Sequence, residues 1–214
     1  VLNTFTTDKT GSVTLPESLR PGTYYIREKD AAAPYLRGED LELSIPVDMN
    51  LTPVAIASFY DQAATGKIEI VKSDAVDSSA LAGAVFEIRA AEDITRADGS
   101  MVALAGETVA TVETDEQGKA NINGFSLGSG IAHYEVVEVS APEGYLLDPT
   151  PHAVELTYAD QDTPVVHARV EVSNDYTKVD ISKADVTDQT EIEGAQLVLL
   201  DANGETIETW TSTA

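Results

Sequence analysis

Cysteine is absent from the chain. No disulfide, thiolate ligand or cysteine nucleophile is therefore available. This fits an exported protein locked by some other covalent means, although it does not identify a compartment. Positive charge is scarce: 13 Lys and Arg stand against 37 Asp and Glu, a formal net charge of −24. The acidic residues are spread along the chain and form no tail, which reads as a solvated acidic surface. Nucleic acid and anionic membranes are disfavoured as partners. No run approaches the ~18 apolar residues of a membrane helix, so no membrane insertion is expected in this segment. No signal peptide or sorting motif is visible; if the protein is secreted, those parts lie outside this segment. His133, His152 and His167 are scattered without ligand spacing, and no metal site is expected from them. Asp115-Glu-Gln-Gly118 and Asp160-Gln-Asp162 fit no EF-hand loop, and no nucleophile-elbow motif occurs. No cofactor and no turnover enzyme are expected. Asn50-Leu-Thr52 has the form of a glycosylation sequon. The single tryptophan, Trp210, is expected in a core.

What the chain has is β-forming sequence. Its 214 residues are 43% hydrophobic, enough for one or two domains with real cores. Thr, Val, Ile and Tyr abound, with Gly or Pro between short apolar runs, which predicts an all-β protein with little helix. Strands are expected near 67–73, 84–90, 107–113, 119–123, 132–139, 152–158 and 165–174. Residues 91–106 break the alternation and predict a short helical turn and a surface loop.

Three strands stand out. In Tyr134-Glu-Val-Val-Glu138 a period of two places Tyr134, Val136 and Glu138 on one face, and Ala141-Pro-Glu-Gly144 then stops the strand. In Lys67-Ile-Glu-Ile-Val-Lys72 the row is Ile68, Ile70, Lys72. In Val170-Glu-Val-Ser-Asn174 it is Val170, Val172, Asn174. Each apolar row ends in one polar residue: an amine, an acid and a carboxamide. Strand ends are usually wet, so each residue alone reads as solvated. The three together read as partners, because an unpaired carboxylate at the inner end of an apolar row costs several kcal/mol, on the order known for buried ions.

The pattern Tyr-x-x-x-Glu-x-x-Ala-Pro-x-Gly-Tyr resembles the signature of the collagen-adhesin B-type domains (CnaB-like, SpaA-type pilin), which also build the shafts of Gram-positive pilins. The likeness extends to Lys72-Ser-Asp74, Leu81-Ala-Gly83-Ala84-Val-Phe86, Thr114-Asp115-Glu-Gln-Gly118 and Val172-Ser-Asn174. Together these motifs span nearly all of residues 63–178. The resemblance implies tandem transthyretin-like (prealbumin-like) Greek-key β-sandwich domains with an intramolecular isopeptide bond. Matched residue by residue, Lys72 is the amine, Asn174 the acyl donor and Glu138 the catalytic proton shuttle. These residue types suit that chemistry. Burial lowers the pKa of a lysine and raises that of a glutamate, giving a neutral nucleophile and a proton donor.

The chain also repeats. Thr7-Asp8 through Gly11 resembles Thr114-Asp115 through Gly118, and Tyr24, Ile26 and Glu28 repeat the Tyr134–Glu138 strand. Lys72-Ser-Asp74 recurs as Lys183-Ala-Asp185. The offsets are 107 for Asp8 and Asp115, 110 for Glu28 and Glu138, and 111 for Lys72 and Lys183. Residues 1–62 match the back part of a domain, 63–178 a complete one and 179–214 the front of a third. In the first piece Glu28 is the acid, and Asp61 takes the acyl position, with Ser58 as the alternative alignment. No residue of 1–62 stands in the amine position. In the third, Val179, Ile181 and Lys183 repeat the amine strand. Lys183 and Asp61 are candidate isopeptide partners in incomplete domains. Either a longer protein completes both pieces, or the last piece of one molecule joins the first piece of another.

The expected function is a structural stalk or pilin-like segment of a Gram-positive cell-surface protein. Its location would be extracellular, with the wall anchor outside this segment. Its partners would be neighbouring domains of the same protein. The alternative is an adhesin module gripping a host matrix protein or glycan.

Overall fold

A computed structural model describes residues 3–16, 18–47, 55–177, 179 and 181–213. The sequon at Asn50 lies outside these residues. The chain divides into two compact units, Val1–Asp175 and Tyr176–Ala214. Among the described residues there is strand but no helix. The first unit holds β1 (Gly22–Ile26), β2 (Leu41–Ile45), β3 (Thr65–Asp74), β4 (Val85–Ala90), β5 (Ile94–Thr95) and β6 (Met101–Ala103). It continues with β7 (Thr108–Glu113), β8 (Lys119–Ser126), β9 (Ile131–Ser140), β10 (His152–Thr157) and β11 (Val165–Asn174). The second holds β12 (Gln196–Leu200) and β13 (Thr206–Thr211).

Two sheets make the sandwich, in strand orders β10-β9-β4-β7 and β11-β3-β8. The pleat decides which residues face inward. Along β3 exposure alternates without a break, and the buried row is Gly66, Ile68, Ile70, Lys72 and Asp74. Across from it, Phe86 and Ile88 of β4 and Tyr134 and Val136 of β9 belong to the same core. Each such side chain stabilises by about 1.5–3 kcal/mol when fully buried. Tyr134 packs edge-on to Phe125 at 5.1 Å between ring centroids. Its hydroxyl donates to the Ser126 carbonyl at 2.8 Å, which satisfies the polar end of the ring. Burial pushes its phenol pKa up to about 12.

Strands β3 and β11 are parallel neighbours over ten paired positions, from Thr65↔Val165 to Asp74↔Asn174. The segment expected to hold a helical turn, 91–106, instead contains the antiparallel pair β5–β6. Ile94 and Ala103 are both buried and anchor one strand each. Between them Gly99, at φ 82°, supplies the left-handed residue of the turn. Two apolar anchors and a glycine turn outweigh a local sequence that lacks alternation.

The sequence repeat reappears as hydrogen bonds. The Leu81 amide donates to the Lys72 carbonyl at 3.1 Å, and the Ile192 amide donates to that of Lys183 at 2.7 Å. The antiparallel bridge Ser73↔Ala80 is matched by Ala184↔Glu191. Ser78 and Gln189, non-glycine residues at φ 63° and 60°, occupy the same place in the two loops. At the other end, Gly11 donates to Asp8 as Gly118 donates to Asp115.

Strands β1 and β2 pair antiparallel, Gly22 opposite Ile45. This first piece joins the sandwich through the bridge Tyr35↔Ala63, an Arg37–Asp162 ion pair at 2.7 Å and a bond from the Ala31 amide to Gln161 Oε1 at 2.8 Å. Residues 55–61, which repeat β11, carry no ladder among the described residues. Ile56 and Tyr60 there are largely exposed. In the second unit β12 pairs antiparallel with β13, and Trp210 stands opposite Leu197. Trp210 is half-buried.

Candidate functional site

The alternation that builds the core also carries three polar side chains into it. Lys72 follows Ile68 and Ile70 on β3, Asn174 follows Val170 and Val172 on β11, and Glu138 follows Tyr134 and Val136 on β9. Lys72, Glu138 and Asn174 are 0%, 1% and 2% exposed. Lys72 and Asn174 lie on adjacent strands of one sheet, and Glu138 reaches in from the other. The Lys72 ammonium nitrogen lies 3.7 Å from Glu138 Oε1. Asn174 Nδ2 donates to Glu138 Oε2 at 2.8 Å. The structure thus brings together all three residues that the sequence singles out.

The polar atoms at the centre are incompletely satisfied. Lys72 Nζ, Glu138 Oε1 and Asn174 Oδ1 are buried without a hydrogen-bond partner. Removing two ions from water costs several kcal/mol per ion, and a salt bridge offsets this only with good geometry and further hydrogen bonds. Burial lowers the Lys72 pKa, opposed by the charges of Glu138 and Asp148. The site therefore weakens the hold of the amine on its proton.

Two local features hold the lysine strand in place. The Gly118 carbonyl accepts the Lys72 amide at 2.7 Å. A Cβ on Gly118 would lie 2.4 Å from the Lys72 carbonyl oxygen, and Gly118 sits at φ +68°. Only glycine allows that approach. The buried Thr114 hydroxyl donates to the Leu81 carbonyl at 2.8 Å and accepts the Ala84 amide at 3.1 Å. Leu81 in turn donates to Lys72.

Sequence reasoning missed the loop that follows β9. Leu146 O accepts Asn174 Nδ2, and the Asp148 amide donates to Glu138 Oε2 at 2.9 Å. These are main-chain contacts, to which side-chain patterns are blind. Asp74, which the sequence offers only as part of the Lys72-Ser-Asp74 motif, is 1% exposed and hydrogen-bonded to the Tyr145 hydroxyl at 2.9 Å. The signal was present, since Asp74 lies two residues beyond Lys72 in the same inward row. His152 Nε2 is also buried without a partner.

The first piece repeats part of this arrangement. The Gly38 amide donates to Glu28 Oε2 at 2.7 Å, as Asp148 does to Glu138. Asp61 lies beside Glu28: a Cβ on Gly38 would be 3.2 Å from Asp61 Oδ1 and 3.6 Å from Glu28 Oε2. Burial, then the charge and hydrogen bond of Glu28, raise the Asp61 pKa. Lys183 lies in the second unit, ahead of the bridge at Ala184. Among the described residues no cluster of His, Cys, Asp and Glu could hold a metal ion. Nor is any helix there long and apolar enough to cross a membrane.

The profile of SpaA, a prealbumin-like fold domain, matches residues 1–57 and 66–171. The chain belongs to the SpaA prealbumin-like family. The matched stretches take in well over half of the chain and include Lys72, Glu138 and Glu28. One solved structure agrees with the family's fold. The Bacillus anthracis TIE protein aligns over 97% of this SpaA-family chain with a TM-score of 0.60 at 20% identity. The chain covers 35% of that protein's length. The group B streptococcus pilus 2b backbone protein aligns over 70% of the chain and 52% of its own, at 20% identity and a TM-score of 0.42. The Corynebacterium diphtheriae major pilin SpaA aligns over 52% of the chain and 30% of its own, at 26% identity and a TM-score of 0.36. Comparison with functionally curated proteins gives no significant match.

Proposed function

We propose that Lys72 and Asn174 join in an intramolecular isopeptide bond, with Glu138 as the proton shuttle, and that the chain is a stalk or pilin-like segment of a Gram-positive surface protein. The observation that carries this reading is the buried triad, in which the amine, one acid oxygen and the amide oxygen lack hydrogen-bond partners. An inert core has no use for such a cluster. A core that removes the charge by reaction does.

The reaction balances as follows. Lys72 passes a proton to Glu138 Oε1, giving a neutral amine and a neutral acid. The amine nitrogen attacks Cγ of Asn174, and the Nζ–Cγ bond forms. A further amine proton passes through Glu138 to Nδ2. The Cγ–Nδ2 bond breaks and ammonia leaves. Prior contact of the groups supplies the effective molarity that a reaction between unactivated groups needs. Each molecule reacts once, so there is no turnover.

A bond between Lys72 and Asn174 closes a loop of about 100 residues, which stabilises by roughly 4–5 kcal/mol on the chain-entropy view of crosslinks. The first and last strands of the sandwich then share one covalent path, which suits a shaft under tension outside the cell. In this reading residues 63–178 are the complete domain, flanked by pieces at 1–62 and 179–214. Asp61 takes the acyl role beside Glu28, and Lys183 is the amine of the third piece. Asp61, which would release water on joining an amine, and Lys183 can each react only with a partner from outside its own piece. Neighbouring domains are the partners. The test is the intact mass of the purified chain, which should fall short of the sequence mass by one ammonia. A full sequence mass would overturn the bond and leave the fold untouched.

The adhesin reading has one observation in its favour. An open groove of about 350 Å³ lies where the first piece meets the sandwich, lined by Pro34, Tyr35, Ala64, Arg96 and Gly128 among others. A binding screen against matrix proteins and glycans tests it, and Arg96→Ala should weaken any ligand held there.

A further inference from the structure

The loop after β9 touches all three strands of the triad. Tyr145 donates its hydroxyl to Asp74 Oδ2 at 2.9 Å, and Asp74 is on the lysine strand two residues past Lys72. Leu146 O accepts Asn174 Nδ2. The Leu146 amide donates to the Asp175 carbonyl at 3.0 Å, next to Asn174. The Asp148 amide donates to Glu138 Oε2 at 2.9 Å. One segment, Tyr145–Asp148, thus holds the strand of the amine, the carboxamide itself and the acid.

We propose that Tyr145 and Asp74 are positioning residues for isopeptide formation, acting by clasping this loop over the triad. The inference rests on the bond-forming role assigned to Lys72, Glu138 and Asn174. Its physical basis is a division of labour between atoms. The Asp148 amide occupies Glu138 Oε2, so Oε1 is left as the atom that exchanges a proton with Lys72. The Leu146 carbonyl holds Nδ2, the nitrogen that must leave. With that nitrogen fixed, the carboxamide cannot rotate freely. The same carbonyl can accept a hydrogen bond from ammonia as it forms.

Asp74 is suited to anchor the clasp. It is 1% exposed, and its other oxygen accepts the amides of Val76 at 2.6 Å and Asp77 at 3.2 Å. A carboxylate fixed by two main-chain donors makes a rigid acceptor for the phenol. The Ala75 amide donates to the Asn174 carbonyl at 2.9 Å, tying the anchor to the acyl strand.

The experiment uses the full chain, recovered unfolded and uncrosslinked in denaturant. Dilution starts folding, and mass spectrometry follows the loss of ammonia with time. Tyr145→Phe removes one hydroxyl, and loosening of the loop should slow bond formation by on the order of ten- to a hundredfold. Asp74→Ala should slow it similarly. Asp74→Asn retains a hydrogen-bonding partner for the phenol and should recover most of the rate. The same tyrosine change in the Lys72→Ala chain, which cannot crosslink, separates positioning from folding. There the melting temperature should stay close to that of Lys72→Ala alone. Bond formation at the native rate in Tyr145→Phe would overturn the proposal. So would loss of the folded state in the double variant, since the tyrosine would then serve stability alone. If the unmutated chain never loses ammonia, the isopeptide reading itself fails, an outcome distinct from either.

Discussion

Asn174 stands opposite Asp74 in the β3–β11 ladder, and the residue opposite Lys72 is Val172. The amine and the carboxamide it would attack are therefore diagonal neighbours, two positions apart on one face of a parallel pair. Diagonal neighbours are roughly 7–8 Å apart at the main chain, within reach of a long side chain. Lysine spans that distance. Register, more than proximity in sequence, makes the pair possible.

Loss of any triad member should abolish the bond. Lys72→Ala, Glu138→Ala and Asn174→Ala should each restore the full sequence mass apart from the substitution. Each should also lower the melting temperature by more than 15 °C, taking roughly 4–5 kcal/mol for the crosslink and about 4 °C per kcal/mol for a domain of this size. Calorimetry paired with intact mass checks both. Ammonia loss persisting in any of the three would mean that another residue fills that role.

Glu138→Gln isolates the proton shuttle. Glutamine keeps the shape and can still accept the Asp148 amide, yet it cannot carry a proton between Lys72 and Asn174. The variant should fold, with far-ultraviolet circular dichroism like the parent, and remain uncrosslinked. A normal bond in it would assign the shuttle elsewhere.

Gly118→Ala tests the support beneath the lysine. Its new methyl would meet the Lys72 carbonyl oxygen at 2.4 Å, from a backbone at φ +68°. Main chain cannot swing aside as a flexible side chain can, so β3 must shift at Lys72. The expected cost is about 1–3 kcal/mol, together with slower ammonia loss. Chemical denaturation and the mass time course read the two effects. A neutral result in both would show that the turn adapts.

Asp61 offers a titration. Burial and the adjacent Glu28 raise its pKa above the usual aspartate value of 3.8. In that window the folded state binds more protons than the unfolded one, so this group's contribution to stability is lost as pH rises through its folded pKa. Carbon-detected NMR of the carboxyl should place its midpoint above 3.8. Glu28→Gln should bring it down part of the way, leaving the share due to burial. An unmoved midpoint in that variant would separate the two carboxyls.

Much of this was legible in the residues. Ile68, Ile70 and Lys72 share a face because strands have a period of two, and the same arithmetic selected Glu138 and Asn174. The strands around them lie within a few residues of expectation for the same reason. The hairpin at 94–103 was not legible, because its strands are too short to alternate. Nor was the Tyr145–Asp148 clasp. Three of its contacts come from main-chain groups, one carbonyl and two amides, and only the folded path of the loop determines where they point.

The proposed Lys72–Asn174 closure would bear on damage as well as on load. With those side chains joined, all of residues 73–173 lies inside a covalent ring. A protease that cut once in an exposed turn of that ring, such as Asp98-Gly99, would open the circle without releasing either end. The severed molecule would remain one piece, and whatever lies beyond it would stay attached.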